Sequence, residues 1–383
     1  MSVRLARCVE GRGITLIRRV FEGAPADCVN LGLGQPTDPA PDVALDAARA
    51  VLDGRMLAYS PTAGFPELRR LIAERVYADP DPASVLVTAG SQQAAWVTLM
   101  GLVNPGEDVL VPEPGYPAYR MIAGMIGANP VSVPVTFESG WRLDPEAVER
   151  AWTERTRALI VASPSNPTGM FAGTQRDVER LASLCAERDA WLVADEIYAG
   201  IRFVEGHRPL GELGDRVVAV DGLSKAFSCT GLRIGWIHAR PEVIRGVMPL
   251  LQQVALCAPT IGQRVALACL ATWGPELFAE LRERYGRRRD AACAALREIP
   301  GVRFHEPEGA FYVLVDVSAY ARDTFELAMR LREEARVITA PGEAFGPSCA
   351  GSLRISFVSD PPVVREGVSR IASFLHAISR EGS

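Results

Sequence analysis

Lys225 stands in Ser224-Lys225-Ala226-Phe227, just after a β-branched stretch ending at Asp221. Taken alone, such a lysine is a surface residue in a loop. Its surroundings weaken that reading. Small and hydroxyl residues follow as Ser228-Cys229-Thr230-Gly231, and Arg233 comes eight positions after the lysine in Leu232-Arg233-Ile234-Gly235. An amine held near another cation and partly out of water has a lowered pKa. That is what a lysine needs to attack a carbonyl carbon and form a Schiff base. Arg233 would also give a phosphate a planar, doubly hydrogen-bonding partner.

Other reactive residue types fall at comparable places. Asp195 ends the stretch Trp191–Asp195, with Glu196 and Tyr198 behind it. An acid there serves equally as a helix N-cap or as the partner of a protonated pyridine nitrogen, with Tyr198 reaching a ring oxygen. Asn166, in Ser165-Asn166-Pro167-Thr168-Gly169, is an ordinary turn residue or an amide for that oxygen and a substrate carboxylate. Thr88-Ala89-Gly90-Ser91-Gln92 leads from a strand pattern into a helix pattern, and free N–H groups at such a junction suit a phosphate. It is no dinucleotide fingerprint: after Gly32-Leu33-Gly34, Thr37 stands where a third glycine would fall. Tyr116, in Glu113-Pro114-Gly115-Tyr116-Pro117, is either a turn aromatic or a ring for stacking on a flat heterocycle. Arg354 breaks the apolar run Leu353–Phe357, and a substrate carboxylate would pair with it. Lysine, acid, two arginines, phosphate loop and aromatic together suit pyridoxal 5'-phosphate, whose ring draws electrons from a substrate's α-carbon.

The elements that must hold these residues read as α/β. Strand patterns occur at 84–89, 108–112, 130–135, 157–162, 191–195, 216–221 and 233–238, alternating with helical stretches such as 91–102, 174–188 and 241–255. Such alternation predicts a largely parallel sheet with helices on both faces. Ligand residues then gather at the carboxyl ends of the strands, where the reactive residues fall. Beyond about residue 290 a long helix gives way to strands near 311–316 and 352–357 and helices at 323–335 and 361–379. This reads as a second, smaller α/β domain, against which the N-terminal segment packs. The expected division is 1–45, 46–285 and 286–383.

Composition narrows the function. The chain has 383 residues, 48% of them apolar and 23% charged, with a net charge of −5. That argues against nucleic acid as a partner. The arginines at 282, 284 and 287–289 lie among Glu280, Glu283 and Asp290, which predicts a solvated helix face. The eight cysteines show no C-x-x-C pair and the four histidines do not cluster, so neither a disulfide framework nor a metal site is expected. Met1–Glu10 has no apolar core of a signal peptide, and the uncharged stretch 246–263 is too polar and proline-broken to span a bilayer. A cytoplasmic protein is expected.

As an ordered set, the motifs resemble the class I/II aminotransferases of pyridoxal-phosphate fold type I, the aspartate aminotransferase-like proteins, over nearly the whole chain. They are Leu31-Gly32-Leu33-Gly34-Gln35-Pro36, Tyr59…Gly64…Glu67-Leu68-Arg69, Thr88–Gln92, Pro114-Gly115-Tyr116-Pro117, Asn166-Pro167-Thr168-Gly169 and Asp195-Glu196-Ile197-Tyr198. After these come Ser224-Lys225…Gly231-Leu232-Arg233-Ile234-Gly235, Gly309-Ala310-Phe311-Tyr312, Pro341–Gly346 and Arg354-Ile355-Ser356. The resemblance implies a large domain with a mainly parallel seven-stranded sheet between helices, and a smaller discontinuous α/β domain. It implies that Lys225 bonds the cofactor and moves the substrate's α-proton, and that Asp195 pairs with the pyridine nitrogen. Asn166 and Tyr198 would contact the ring oxygen, Tyr116 stack on the ring, and Gly90, Ser91, Gln92, Ser224 and Arg233 surround the phosphate. Arg354 and Gly34, with Asn166, would hold the substrate carboxylate. Tyr59 would reach the neighbouring subunit's phosphate, which implies a homodimer with shared sites.

Two departures limit what the resemblance carries. Many members have a phosphate-binding serine three residues before the lysine; here that position is Gly222, so either Ser224 compensates or the phosphate is held with one bond fewer. No cation for a distal carboxylate stands out in the apolar segments 14–17 and 254–261, which by analogy line the mouth of the site. The expected reaction is therefore amino-group exchange between an α-amino acid and a 2-oxo acid, with a neutral amino acid in one half-reaction and glutamate left open as the partner donor. A lyase, decarboxylase or cyclase of amino-acid or natural-product biosynthesis would use the same lysine and acid.

Overall fold

The computed structural model describes residues 6, 8–9, 13–55 and 57–381. Arg4 and Arg7, part of the N-terminal stretch read for a leader, lie outside the described residues. Seven short strands form the main sheet: β2 (Val85–Thr88), β3 (Asp108–Glu113), β4 (Asn129–Pro134), β5 (Thr156–Ala162), β6 (Trp191–Asp195), β7 (Val217–Gly222) and β8 (Gly235–His238). They follow β1 (Val29–Asn30), which lies elsewhere. The order across the sheet is β2-β8-β7-β6-β5-β3-β4. All neighbours are parallel except around β8, which runs antiparallel to both β2 and β7. The central strands are buried along nearly their whole length, so both faces need apolar residues. This is why they read as unbroken β-branched runs rather than as alternation. The predicted mainly parallel, seven-stranded sheet is the observed one.

Five strands deliver the reactive residues to one edge. β6 ends on Asp195; β7 ends three residues before Lys225; β5 and β3 run out ahead of Asn166 and Tyr116; β2 leads through Gly90 into the helix Ser91–Leu102. That helix is mostly apolar after its first turn and buries Ala94, Ala95, Val97, Thr98 and Leu99. Its N-cap, Gly90, has φ 87°, a left-handed conformation that favours glycine.

A second sheet of β9 (Arg303–Phe304), β10 (Tyr312–Asp316), β12 (Ala340–Pro341) and β13 (Ser352–Ser356) is antiparallel, in the order β12-β13-β10-β9. It carries Tyr312 and Arg354. β1 pairs in parallel with β11 (Val337–Ile338), in the register Val29↔Val337 and Asn30↔Ile338. The N-terminal segment is thus hydrogen-bonded to the C-terminal part of the chain. The helix Leu16–Phe21 precedes it, with Val20 buried and Arg19 resting on the Phe325 ring at 4.5 Å.

The basic run lies on the helix Pro275–Arg297, as expected, but one member is not solvated. Arg288 is 4% exposed and makes two 2.7 Å bonds to Asp38 and one of 2.7 Å to Asp360. Burial pushes the Asp38 carboxyl up, yet the bonds and charge of Arg288 hold it below its usual range. The solvated-face reading therefore fails at Arg288, where an ion-pair cluster ties three distant segments together. All eight cysteines are unpaired, five of them buried. Among the described residues, no helix is long and apolar enough to cross a membrane.

Candidate active site

A cavity of about 670 Å³ opens at the carboxyl edge of the main sheet. Lys225, Asp195, Tyr198, Asn166, Ser91, Gln92, Tyr116, Ser224, Arg233, Gly34 and Arg354 all line it. Of the remaining expected site residues, Gly90 lies just beneath: a Cβ there would meet the Arg233 guanidinium at 2.4 Å, so the arginine rests on the loop. Tyr59 is 82% exposed and is not part of this chain's own cavity.

Lys225 donates to the Gly34 carbonyl at 2.7 Å. Its pKa is brought down to about 8, first by burial and then by the charges of Arg354 and Arg233, with Asp195 opposing. Asp195 sits at the floor. Its Oδ2 accepts the Tyr119 hydroxyl at 2.7 Å and its Oδ1 accepts the Ile197 N–H at 3.1 Å. Burial pushes this carboxyl above the usual range, and these bonds and Lys225 only partly offset it. A cationic ring nitrogen at the floor would restore the ionised form.

Arg354 is 3% exposed with no carboxylate in ion-pair range among the described residues. It donates to the Asn166 side-chain oxygen at 3.0 Å and to the Gly32 carbonyl, while its Nε has no partner among them. A buried guanidinium without an acid is costly, and an incoming carboxylate removes that cost. Arg233 likewise has no acidic partner among the described residues; it donates to the Thr230 carbonyl at 2.9 Å and adopts φ 53°. Strain of this kind in a non-glycine residue is found where a side chain must be aimed.

Pyridoxal phosphate fits these residues. The start of the helix Ser91–Leu102, Ser224 and Arg233 form a cradle for an anion; Asp195 waits at the floor; Tyr116 supplies a ring; Lys225 supplies the amine. Gly222 is explained as well. A Cβ there would sit 2.6 Å from the Ile234 carbonyl and 3.0 Å from the Gly235 Cα, so a serine has no room. Hydroxyls at Ser224 and Thr230 line the cavity instead.

Several lining residues are not singled out by the sequence. Tyr119 follows Tyr116 by three positions, one helical turn, and that spacing is the available signal. Thr230 stands out only as a small hydroxyl neighbour of the lysine, and Tyr312 only as part of a motif. The mouth is lined by Thr15, Ile17, Arg18, Phe21 and Leu33. Residues 254–261 do not line the cavity of the single chain, whereas the helix one residue beyond 14–17 does contribute a cation, Arg18.

Known proteins share this architecture along nearly the whole chain. The family model described as aminotransferase class I and II matches residues 26–371. An aspartate aminotransferase of Streptomyces avermitilis is 35% identical over 376 residues, covering 93% of this chain and 91% of that protein. An arginine–pyruvate transaminase of Pseudomonas aeruginosa is 36% identical over 368 residues, 93% of this chain and 91% of that one. The solved aspartate aminotransferase from Thermus thermophilus with maleate superposes with a TM-score of 0.90 at 33% identity, covering 97% of this chain and 100% of that one.

Proposed function

This chain belongs to the class I and II aminotransferase family, and from that premise we propose that it is a pyridoxal-phosphate-dependent aminotransferase using Lys225. It exchanges an amino group between an α-amino acid with a neutral side chain and a 2-oxo acid. One observation carries the reading: a lysine with its pKa brought down to about 8 and a buried arginine with no acid beside it among the described residues face the same cavity above Asp195.

When bound, pyridoxal phosphate supplies an aldehyde carbon that amines capture and a ring that withdraws electrons from the substrate's α-carbon. The protein's residues do the rest. Lys225 is the amine that would hold the cofactor and, once displaced, the base that would move the proton two atoms along, from the substrate's α-carbon to the cofactor carbon that captured the amine. Arg354 grips the substrate carboxylate by two parallel bonds, which fixes the α-carbon toward Lys225. Asp195 holds a proton on the ring nitrogen. Asn166 and Tyr198 donate to the ring oxygen, Tyr116 covers the ring face, and Ser91, Gln92, Ser224 and Arg233 anchor the phosphate over Gly90. In this reading, 46–285 holds the cofactor and 1–45 with 286–383 forms the smaller domain. The protein works in the cytoplasm as a homodimer, with Tyr59 serving the partner's site. Apolar Ile17, Phe21, Leu33, Met121 and Ile122 around the cavity support a neutral side chain.

The test is the visible absorption spectrum of the protein loaded with the cofactor, followed as amino acids are added singly. A true donor moves the band to shorter wavelength, and a 2-oxo acid moves it back. Release of ammonia with the band unchanged points to a lyase, and absence of any cofactor band overturns the reading.

A further inference from the structure

Tyr312 lies on β10, in the sheet of the smaller domain, yet its hydroxyl reaches the floor of the cavity. It is fully buried, and its Oη is 2.9 Å from the Oη of Tyr198. The two rings meet edge to face, 5.6 Å apart at 80°. The Arg354 guanidinium covers the Tyr312 ring at 4.3 Å. On the far side, a Cβ on Gly34 would fall 2.0 Å from the Tyr312 Oη, so residue 34 must be glycine for this hydroxyl to occupy its place. The carbonyl of that glycine accepts from Lys225. One phenol therefore touches the groups proposed for the carboxylate and the ring oxygen, and the glycine whose carbonyl holds the lysine.

A proton count fixes the direction of the bond. In the chain alone either hydroxyl can donate. Tyr198 has one proton, and in the proposed function it is spent on the cofactor's ring oxygen. Its oxygen is then left as an acceptor, and the donor is Tyr312. A phenol that accepts a hydrogen bond becomes a stronger donor through its own proton. The Arg354 cation over the Tyr312 ring favours electron density on that ring and so sharpens the same donor. The relay runs Arg354, Tyr312, Tyr198, ring oxygen, and each member is held by packing rather than by solvent.

We propose that Tyr312 is a positioning residue for the cofactor: it donates to Tyr198 and thereby strengthens the bond Tyr198 makes to the ring oxygen. This rests on the aminotransferase reading of the site. The consequence is a lowered pH for the titration of the bound cofactor's visible band, because a ring oxygen held by a stronger donor keeps its negative charge and lets the adjacent nitrogen give up its proton sooner.

The experiment compares wild type with Tyr312→Phe, Tyr198→Phe and the double variant, each loaded with pyridoxal phosphate and titrated spectrophotometrically without substrate. Tyr312→Phe removes one oxygen and keeps the ring under Arg354. Its band should titrate about half to one pH unit higher, the size of one net hydrogen bond. In the Tyr198→Phe background the same change should have no effect, because the relay is already broken. An unshifted midpoint in Tyr312→Phe, or an equal shift in both backgrounds, overturns the proposal while leaving the enzyme assignment intact. If wild type binds no cofactor, the assignment itself fails. Circular dichroism checks the fold, and any Tyr312→Phe protein that does not fold is replaced by Tyr312→Trp, whose N–H can donate; restoration of the wild-type midpoint there supports the relay, and a midpoint like that of Tyr198→Phe refutes it.

Discussion

Replacing Lys225 with methionine should make the cofactor-free protein more stable. Burial first, then Arg354 and Arg233, bring the lysine from its ordinary 10.5 to about 8. At pH 7 the lysine is protonated in both folded and unfolded chains, so the folded state carries a charge in poor surroundings. The difference in pKa corresponds to about 3 kcal/mol. The thioether side chain would forgo the bond to the Gly34 carbonyl, worth roughly 1 kcal/mol. The net gain for Lys225→Met at pH 7 is then about 1–2 kcal/mol, because the ammonium faces a cavity that water can enter. The sign follows from linkage: a lysine whose folded pKa is depressed costs stability below that pKa, and the cost fades as pH rises from about 8 towards 10.5. Urea melts of cofactor-free wild type and Lys225→Met at pH 7 and pH 10 measure both numbers. The variant should lead at pH 7 and lose that lead at pH 10. A variant less stable than wild type at pH 7, or a lead that grows with pH, refutes the account of the lysine's environment.

Three further outcomes are expected. Arg18→Ala should raise KM for glutamate several-fold and leave KM for apolar amino acids within about twofold, because Arg18 is the one described cation at the mouth; steady-state kinetics on both classes decides it. Gly222→Ser should not tighten pyridoxal-phosphate binding but should cost about 1–3 kcal/mol in denaturant melts, since its Cβ would press on backbone atoms of Ile234 and Gly235. Arg288→Met should cost about 1–3 kcal/mol by leaving the half-buried Asp38 with only the more distant Arg284 as a cation, and the loss should shrink as pH falls and Asp38 takes a proton.

The sheet was legible because its strands are buried on both faces and so stand out as continuous runs. Trp191–Asp195 and the helix Ser91–Leu102 have the expected bounds. The stretch expected to begin at Arg233 forms a strand only from Gly235, because Arg233 takes a left-handed conformation to aim at the cavity. That β8 runs antiparallel was not legible, since direction depends on the path of the chain rather than on local pattern. Arg288 defies its local pattern for a related reason: its neighbours at four-residue spacing look like a solvated face, while its partner Asp38 is 250 positions away in the sequence. The residues aimed at the cavity from strand ends were readable as chemistry. Tyr119 and Tyr312 were not, because each acts on another side chain, and that relation exists only in the folded arrangement.

The pairing of Val29 with Val337 also sets a schedule for synthesis. When Val29–Asn30 leaves the ribosome, its partner strand is about 300 residues from being made. At ordinary rates of translation the wait is about 15–60 s. Through that interval the main sheet can assemble, but the helix Leu16–Phe21 at the mouth has no seat, and Val20 and Leu31, fully buried in the finished protein, lie open to water. The site is therefore among the last parts of the molecule to be completed, and the nascent chain carries a sticky leading end for most of its birth.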